Sequence, residues 1–461
     1  MRSISRSALP LPRTVRAALG FGVCALCLTS APSVFAQDPP TPPAPPPDPT
    51  AAPGAATAAG MWDVRAAGAT GDGTTDDTAA FAKALAEAGA AGGGVVHVPA
   101  GRYLLKGTLE IPSHVALEGV ARAPATSARG GSVLLATAGA GEENGTPFLT
   151  LRGGATLRGI TVFYPEQVAK NPPTPYPWCV RGAGDNCAIV DVLLVNPYQA
   201  VDFGTNSCGR HFIKGLNAQP LRRGLLIDNC FDVGRVENIH FWPFWIADVN
   251  GPVKEFTQTQ GEAFLIGRTD WEYVEGCFTI WYAVGYRFFA NPKHGPGNAV
   301  LTNCGADVGP VSVRVEATQG HAGVSFVNGQ FMSGIEILPT NDGPVKFTSC
   351  GFWGVPEKSE KFIPGHKRLV TAAGRGTTMF TACHFVWWDA LLDGTPAIEV
   401  DGGTVMVNGC DFLDGAGKKQ AAITEKGGTL VVTASRLRGG AKLENRAGEK
   451  GKIVESGNID R

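Results

Sequence analysis

The sequence of 461 residues lacks the features that identify several common classes of protein. Beyond its N-terminal stretch it has no apolar run long enough to cross a membrane as a helix. Beyond residue 36 it contains no C-x-x-C pair and no cysteine–histidine spacing typical of a metal site. No helical periodicity of useful length occurs between Phe148 and the C-terminus. These absences argue against a membrane-spanning protein, a zinc module and a helical fold for most of the chain.

A strong positive charge is missing as well. Residues 1–36 hold four arginines and no acidic residue, and without them 36 basic residues stand against 41 acidic ones, a net charge of −5. Binding to nucleic acid is dominated by the neutralisation of phosphates. We therefore expect no nucleic-acid partner.

The first 60 residues predict an export signal followed by a tether. Four arginines precede an apolar stretch at residues 17–29, and Val34, Phe35 and Ala36 provide a small-residue cleavage site. We predict a signal peptide at 1–36, cleaved near Ala36, and export to the periplasm or the medium. Residues 37–60 form a Pro/Ala-rich linker, and 61–461 form one folded domain.

A short phrase recurs through the last two-thirds of the chain. It reads apolar, any residue, small or Asn, small or Cys, any residue, apolar, as in residues 347–352, 380–385 and 407–412. Its fourth position, called the repeat position below, recurs at steps of 21 to 38 residues. The repeat position is occupied by Ile160, Val192, Leu216, Ile239, Cys277, Cys304, Gly329, Cys350, Cys383, Cys410 and Ser435. A repeat of this length is typical of a solenoid, in which each unit contacts only its neighbours.

Each unit has alternating apolar residues bounded by Gly, Asn and Asp, which is the pattern of strands and turns. Short strands with no helix between them predict an all-β fold, a single-stranded parallel β-helix of about eleven coils. The residue before the repeat position is Gly, Asn, Asp, Ser or Ala in every copy, so we expect a tight turn there. The aromatic residues expected to stack inside the coils are Phe331, Phe352, Phe385 and Phe412.

Nine of the eleven cysteines lie beyond residue 36. Five occupy the repeat position, where buried thiols behave as small apolar fillers. The other four lie off the repeat and are the only candidates for disulfides, which an export route permits. These four are Cys179, Cys187, Cys208 and Cys230. Their pairing is left open by the sequence.

The start of the folded region predicts a helix that caps the β-helix. Residues 79–90 are rich in alanine, with Phe81 and Leu85 four residues apart, and Thr75 and Asp76 before them are good N-cap residues. Three glycines at 92–94 end the segment. Without such a cap, the open end of a β-helix would expose apolar surface and unpaired backbone.

Residues 62–78 contain the string Gly-Asp-Gly-Thr-Thr-Asp-Asp-Thr, and residues 92–103 begin Gly-Gly-Gly-Val. These motifs resemble the start of the pectate-lyase-like superfamily, and more narrowly its rhamnogalacturonase/epimerase-like branch. They cover about 45 residues, and the coil pattern carries the resemblance on to about residue 440. The resemblance implies a right-handed parallel β-helix and an exported polysaccharide lyase or glycoside hydrolase, although tailspikes and non-enzymatic proteins share the fold.

The sequence departs from the catalytic patterns of that superfamily. Polygalacturonase-type members pair adjacent aspartates on a coil with Gly-His-Gly and Arg-x-Lys, whereas Asp76-Asp77 in the predicted cap is the only such pair here. No Gly-His-Gly occurs, and His211-Phe-Ile-Lys214 is the nearest basic motif. The calcium-binding aspartates of classical pectate lyases have no obvious counterpart. No cofactor is therefore assigned, and Ca²⁺ stays open for the case of a lyase.

In such folds the sugar lies on the sheet that precedes the repeated phrase. Alternation along these strands predicts the inward residues Val201, Leu225, Phe264, Tyr286, Val311 and Ile335. The predicted outward residues are Asp202, Asp228, Arg287, Arg314 and Glu336. The two aspartates fall on adjacent coils, on the order of 7–9 Å apart, which suits an acid and a base acting through water. The two arginines would instead serve as a lyase base or bind a uronate carboxylate. An ordinary solvated sheet face is the alternative.

The longest step of the repeat, from Ile239 to Cys277, contains three of the nine tryptophans, and a fourth, Trp281, follows four residues after it. Exposed indole rings stack on sugar faces, so a loop wall here predicts a saccharide groove beside the sheet. The residues assigned to this wall are Trp245, Asp270, Trp271 and Glu272. The alternative is that tryptophans such as Trp242 and Trp281 only cover the outside of the coils.

The sequence as a whole predicts an exported protein that cleaves a polysaccharide, acidic or of plant type, by hydrolysis or β-elimination. A non-catalytic β-helix that binds glycan or serves at the cell surface is the alternative. The predicted catalytic residues are Asp202, Asp228, Asp270, Arg287 and Arg314. The predicted substrate-binding residues are Trp245, Trp271, Glu272 and Glu336, and no metal ligand is assigned. The expected partner is a polysaccharide, and the sequence leaves the oligomeric state open.

Overall fold

The computed structural model of the chain describes residues 60–120, 130–242, 251–354, 369–389, 394–413 and 421–460. The strands in these ranges stack coil upon coil into three parallel sheets. Sheet 1 precedes the repeated phrase, sheet 2 contains its first half and sheet 3 its second half. The chain visits the sheets in this order in each repeat. The all-β, parallel β-helix class predicted from the repeat is confirmed.

Strands in each sheet pair in parallel with the equivalent strands one coil away. Sheet 1 consists of Leu109–Ile111, Leu149–Arg152, Trp178–Ala183, Gln199–Phe203, Arg223–Ile227, Glu262–Ile266, Val284–Phe288, Val311–Val315, Gly334–Ile337, Val370–Ala372 and Lys442–Asn445. Sheet 2 consists of Met61–Asp63, Gly94–His97, Val115–Glu118, Thr156–Arg158, Gly234–Glu237, Glu272–Glu275, Ala299–Thr302, Val324–Val327, Val345–Thr348, Thr377–Thr381 and Gly451–Ser456. Sheet 3 consists of Asp72–Asp76, Gly101–Leu105, Ser132–Ala136, Thr161–Phe163, His240–Phe241, Phe278–Ile280, Gly305–Asp307, Gln330–Phe331, Gly351–Trp353, His384–Val386, Asp411–Leu413 and Arg436–Arg438.

Four longer strands belong to two sheets each. Ala188–Val195 and Phe212–Ala218 run from sheet 2 into sheet 3. Ile398–Asn408 and Ala421–Thr433 run from sheet 1 into sheet 2. A short antiparallel hairpin, Ala290–Asn291 with Gly295–Pro296, follows a sheet 1 strand and stands apart from the three sheets.

Aromatic rings stack along the interior, as predicted. Successive rings of the expected column have centroids 5.7, 4.7 and 4.6 Å apart. The members of that column are Phe331, Phe352, Phe385 and Phe412. A second column from sheet 2 stacks Phe326, Phe347 and Phe380 at 5.0 and 5.2 Å. Because strand follows strand in register, each ring covers the one before it, and such pairs add about 0.5–1.5 kcal/mol beyond the burial of their area.

The turn between sheet 2 and sheet 3 has the same backbone conformation in every copy of the phrase. The residue before the repeat position is left-handed in all eleven, with φ between 49° and 66°. These residues are Gly159, Asp191, Gly215, Asn238, Gly276, Asn303, Asn328, Ser349, Ala382, Gly409 and Ala434. Glycine and asparagine adopt this conformation readily, whereas alanine pays a steric penalty for it. The predicted tight turn is confirmed.

Replacing Ala382 by glycine should stabilise the protein, because its φ of 51° places Cβ against the following carbonyl. We expect the free energy of unfolding to rise by about 1 kcal/mol, measured by urea denaturation. Ala434→Gly, at a residue with φ 49°, should raise the free energy of unfolding by a similar amount. The control is Ala372→Gly within a sheet 1 strand, which should lower stability by about 0.5–1 kcal/mol. A loss of stability in all three variants would contradict the prediction.

All nine cysteines beyond residue 36 are free, buried thiols. The five at the repeat position line the interior, which confirms their role as apolar fillers. The four candidates for disulfides, Cys179, Cys187, Cys208 and Cys230, are free as well. The Cys187 thiol lies within hydrogen-bond distance of the backbone carbonyl oxygen atoms of Leu151, Arg152 and Gly184.

Helix α1, Thr78–Ala90, matches the helix predicted near the start of the domain. It buries Phe81 and Leu85 against the first strands of sheets 1 and 2. Its N-cap residue is Asp77, not Thr75 or Asp76 as expected. The Asp77 carboxylate accepts hydrogen bonds from backbone groups of the glycine-rich string before it, at 2.7 and 3.1 Å. That the helix caps the β-helix stays a prediction.

Helix α2, Pro252–Gln260, lies within the longest step of the repeat and was not predicted. Proline at its first position has no N–H group to leave unsatisfied and favours helix initiation there. In the described part of the chain, neither helix is long and apolar enough to cross a membrane.

The interior column of sheet 1 continues through Val313, which is the partner of Tyr286 and of Ile335. Val311, assigned inward from the sequence, lies two residues earlier on the same strand and is buried. The ladder to the next strand shifts register between Val311 and Val313. The sequence alone therefore does not show which of the two residues continues the column.

Candidate functional site

Sheet 1 carries a column of mostly charged residues on its outer face. In register, the column runs Arg181, Asp202, Leu226, Leu265, Arg287, Arg314 and Glu336. Four of the residues predicted from the sequence are therefore in this column. Two leucines separate the predicted aspartate from the two arginines and the glutamate, so the charges form two groups along the sheet.

Asp202 is fully buried, although its strand position faces outward. One carboxylate oxygen accepts a hydrogen bond from Arg181 Nε at 2.6 Å. The other accepts hydrogen bonds from the backbone N–H groups of Gly204 and Thr205, at 3.0 and 2.8 Å. Both oxygens are thus occupied, and the carboxylate holds the end of its own strand in place.

Asp228 follows the next strand of sheet 1 and is also buried, at 8% exposure. Its Oδ1 accepts hydrogen bonds from the backbone N–H groups of Asn229 and Arg268, at 2.9 and 2.6 Å. Its Oδ2 accepts one from Asn291 Nδ2 at 2.7 Å. Because Asn291 belongs to the short hairpin, the hairpin separates Asp228 from solvent. Gly204 lies between the two aspartates: its N–H donates to Asp202, and a methyl group on it would stand 2.9 Å from Cβ of Asp228.

The arginines of the column are paired with acids. Arg287 donates two hydrogen bonds to Glu316, at 2.7 and 3.2 Å, and one to Glu262 at 3.0 Å. Burial opposes the charged guanidinium, but these two carboxylates outweigh it and raise the pKa of Arg287. A base that removes a proton needs the opposite shift. Arg314 Nε donates to Glu336 Oε2 at 2.8 Å.

A second group of side chains lies beyond the end of the sheet 1 strands. Arg268 donates to both oxygens of Asp270, at 2.6 and 2.9 Å, in a bidentate pair. Gln319 donates a further hydrogen bond to Asp270 at 3.1 Å. Burial favours the protonated carboxyl, yet the hydrogen bonds from Arg268 and Gln319 outweigh it and lower the pKa of Asp270. The guanidinium of Arg268 also covers the ring of Phe231, 5.6 Å from its centroid.

Two exposed aromatic rings flank this ion pair. Trp271 is 52% exposed and Phe231 is 47% exposed. The Trp271 backbone has φ 62°, rare for a bulky residue, and its N–H donates to Asn298 Oδ1 at 2.9 Å. Phe231 meets His294 edge to face at 5.1 Å. We call the surface made of Phe231, Arg268, Asp270, Trp271 and His294 the aromatic edge. Trp245, predicted for the same wall, lies outside the described residues.

Glu272, also predicted for the wall, faces the interior and has no exposed surface. Its Oε1 lies 3.0 Å from Nε2 of His211, which is buried as well. The thiol of Cys230 completes a group whose ligand atoms all lie within 4.8 Å of one another. Burial disfavours a charged imidazole, but the Glu272 carboxylate outweighs burial and raises the pKa of His211 well above its usual value.

No motif in the sequence indicated this buried group. Its members are 19 and 42 residues apart, a spacing set by the lengths of two coils and not by any local element. Among the described residues it is the one cluster of at least three such side chains with the spacing of a metal site. Calcium prefers oxygen ligands, so a group with one imidazole nitrogen and one sulfur does not fit Ca²⁺.

The chain matches known proteins most clearly at the start of its folded region. A family model described as "Rhamnogalacturonase A/epimerase, pectate lyase-like" matches residues 61–163. An exopolygalacturonase (clone GBGA483) from Arabidopsis thaliana is 47% identical over 81 residues, or 16% of this chain. The match spans 17% of the length of that relative. The resemblance inferred from the glycine-rich string and the strand after it is confirmed.

Solved structures similar to this chain share its coils over most of its length. The N-terminal fragment of gene product 12 from bacteriophage Phi29 aligns with a TM-score of 0.56 and 12% identity, covering 86% of this chain and 71% of that chain. The tailspike protein of E. coli bacteriophage HK620, solved with a pentasaccharide, aligns with a TM-score of 0.53 and 11% identity. That alignment covers 86% of this chain and 78% of the tailspike. At such low identity these similarities show the fold alone.

Proposed function

We propose that this chain, whose residues 61–163 resemble the pectate-lyase-like superfamily, is an exported protein that binds and cleaves a polysaccharide. The glycan would lie along the outer face of sheet 1 and cross the aromatic edge. Cleavage would proceed by hydrolysis or by β-elimination. The signal peptide predicted at residues 1–36 supports export, and the name of the plant relative, an exopolygalacturonase, supports a sugar substrate.

The observation that carries the proposal is the aromatic edge. Phe231 and Trp271 are two of the large apolar side chains that remain exposed, and they flank a bidentate ion pair. Sugar rings stack on exposed aromatic faces, while carboxylates and guanidinium groups bind hydroxyl groups. The left-handed backbone at Trp271 is strained, and strain of this kind clusters at ligand-binding sites. Lys293 in the neighbouring hairpin adds positive charge, which favours an acidic glycan.

Asp270 is the carboxylate through which we expect chemistry. Its side chain is 34% exposed, whereas Asp202 and Asp228 are buried and fully hydrogen-bonded. The lowered pKa of Asp270 keeps it ionised, which suits a general base or a nucleophile and not a general acid. Arg287, Arg314 and Glu336 would then bind sugar carboxylates or hydroxyls along the sheet.

Binding without catalysis is the second candidate, and one observation favours it. The predicted acids and bases of sheet 1 are paired with one another or with backbone groups. Catalytic groups are often held by neighbours, but a complete acid–base pair open to substrate is not among the described residues. A glycan-binding β-helix would need only the exposed rings and the ion pairs beside them.

Retention on immobilised polysaccharides measures binding directly. Trp271→Ala should weaken retention about tenfold or more, since truncating a central aromatic residue removes on the order of 1–2 kcal/mol. The matched control is Trp387→Ala, because Trp387 is similarly exposed, at 44%, and also has a left-handed backbone. Equal losses in the two variants would place the site elsewhere, and no retention on any acidic or neutral glycan would overturn the proposal.

Cleavage is measured on the same polysaccharides. New reducing ends without ultraviolet absorbance indicate hydrolysis, and an unsaturated, absorbing product indicates β-elimination. Asp270→Asn should abolish either activity while leaving retention in place. Asp202→Asn and Asp228→Asn test the pair predicted from sheet 1, and full activity in both would remove them from the mechanism. Retention without any product supports the binding protein.

A further inference from the structure

Three ligand-type side chains meet in the interior next to the aromatic edge. His211 and Cys230 lie in the segments between sheet 1 and sheet 2 in two successive coils, and Glu272 is the first residue of the sheet 2 strand in the next coil. A ring nitrogen, a thiol sulfur and a carboxylate oxygen all lie within 4.8 Å of one another, and each of the three residues is buried. Charged and polar groups are rarely fully buried unless they are paired or bind a metal.

The hydrogen bonds of His211 fix which nitrogen carries a proton. Nδ1 lies 2.8 Å from the carbonyl oxygen of Cys208, which can only accept, so Nδ1 is the donor. Nε2 faces a carboxylate oxygen of Glu272 at 3.0 Å. In a neutral ring this contact would oppose two lone pairs. A positive centre must therefore bridge the two atoms, and it is either a proton, carried by Nε2 or by Oε1, or a metal ion.

Glu272 has a second oxygen that the protein leaves unpaired. Oε2 is buried and has no hydrogen-bond partner among the described residues. It lies over Gly234, where a methyl group would stand 2.3 Å from Oε2 and 2.5 Å from His211 Nε2. Both atoms thus border one small space, which the absence of a side chain at Gly234 keeps open. An orphaned buried carboxylate oxygen calls for a ligand.

We propose that His211, Cys230 and Glu272 bind one divalent transition-metal ion of the zinc class. An imidazole, a thiolate and a carboxylate are the ligand types that Zn²⁺ takes, with one tetrahedral position left for water. Ligand atoms around such an ion lie about 3.3–3.6 Å apart, so only small side-chain shifts are required. The Cys208 carbonyl would orient the imidazole in the way that neighbouring carbonyls orient metal-bound histidines.

Metal binding at this site requires the loss of protons, because a metal ion binds a thiolate and an unprotonated ring nitrogen. As the ion binds, the thiol proton of Cys230 and the proton that lies between His211 Nε2 and Glu272 Oε1 leave. Bonds from Sγ and Nε2 to the metal form in their place, so proton release accompanies binding.

The site would brace the aromatic edge from within. Cys230 immediately precedes Phe231, and Glu272 immediately follows Trp271. An ion shared by these two segments would fix the spacing of both exposed rings. The inference does not depend on the proposed function, because metal loading is measured without any glycan.

The test is a titration of the full chain, stripped with a chelator, with Co²⁺ as a spectroscopic substitute for Zn²⁺. We expect one equivalent to bind with tetrahedral visible bands and a thiolate-to-cobalt charge-transfer band. We also expect two protons to be released per ion, a higher melting temperature and displacement of Co²⁺ by Zn²⁺. A flat titration with an unchanged melting temperature would show that a proton alone bridges His211 and Glu272, and would overturn the proposal.

Variants separate this site from the other buried thiols. Cys230→Ser should abolish the charge-transfer band, and Glu272→Gln should weaken Co²⁺ binding at least tenfold. Cys304→Ser, which removes a buried thiol from the repeat column, should leave the band unchanged. A band that survives Cys230→Ser also overturns the assignment. Circular dichroism identifies variants that fail to fold, and in that event the titration of the unaltered chain decides.

Discussion

Replacing Phe347 by alanine should lower the free energy of unfolding by about 3–5 kcal/mol. The ring is fully buried and stacks between Phe326 and Phe380, with centroids 5.0 and 5.2 Å away and nearly parallel planes. It also meets Phe331 and Phe352 edge to face. Truncation would leave a cavity between rings of the neighbouring coils, which the stacked backbone cannot close. Urea denaturation followed by circular dichroism measures the loss.

The comparison for this variant is Phe231→Ala, at a ring that is 47% exposed. It removes the same atoms without opening a cavity, so we expect a change of about 1 kcal/mol or less. Phe347→Leu should fall between the two, because it refills much of the volume. If both alanine variants lost equal stability, the aromatic columns would not be the source of the stabilisation.

Removing Arg181 should destabilise the protein by about 3 kcal/mol, as expected when a buried ion pair loses one partner. Arg181 is the side-chain donor to Asp202, whose carboxylate has no exposed surface. Arg181→Met keeps the length of the side chain but leaves that carboxylate with backbone donors only. The unfolding free energy at neutral pH is the measurement.

An arginine-to-methionine substitution in the second charged group of the sheet 1 column provides the control. Arg314 pairs with Glu336, and both side chains are about one-third exposed. Arg314→Met should therefore change stability by about 1 kcal/mol or less. A similar loss from both variants would mean that burial does not distinguish the two pairs. A large loss from Arg181→Met alone would identify Asp202 as a structural carboxylate.

The sequence predicts most of the fold because every coil places the same requirements on the residues of its turn and of the strands beside it. A turn residue that tolerates left-handed backbone and an apolar or small residue after it recur in each unit, and in every unit but one an apolar residue follows two positions further on. Each of these requirements is local, so a single chain reveals them. The eleven turn residues and the column ending at Phe412 follow from them directly.

The candidate site could not be predicted to the same extent, because side-chain partners come from different coils. The strand pattern indicates that Asp202 and Arg287 face outward, but not that Arg181 and Glu316 cover them. Glu272 was assigned to a loop wall, since nothing local distinguishes a carboxylate beside a tryptophan from one that turns inward. Its partner His211 lies 61 residues away, and that distance depends on the length of an intervening coil.

The constancy of the left-handed turn bears on how such a chain changes over generations. Steps between turns range from 21 to 38 residues, yet the turn itself keeps its conformation. A duplication from one turn to the next therefore adds one whole coil, and a deletion of the same extent removes one. In both cases the side-chain columns of the remaining coils stay aligned. Insertions elsewhere in a unit lengthen only the outward loops. Insertions can thus change the ligand-binding surface one loop at a time, while the strands of the coils keep their register.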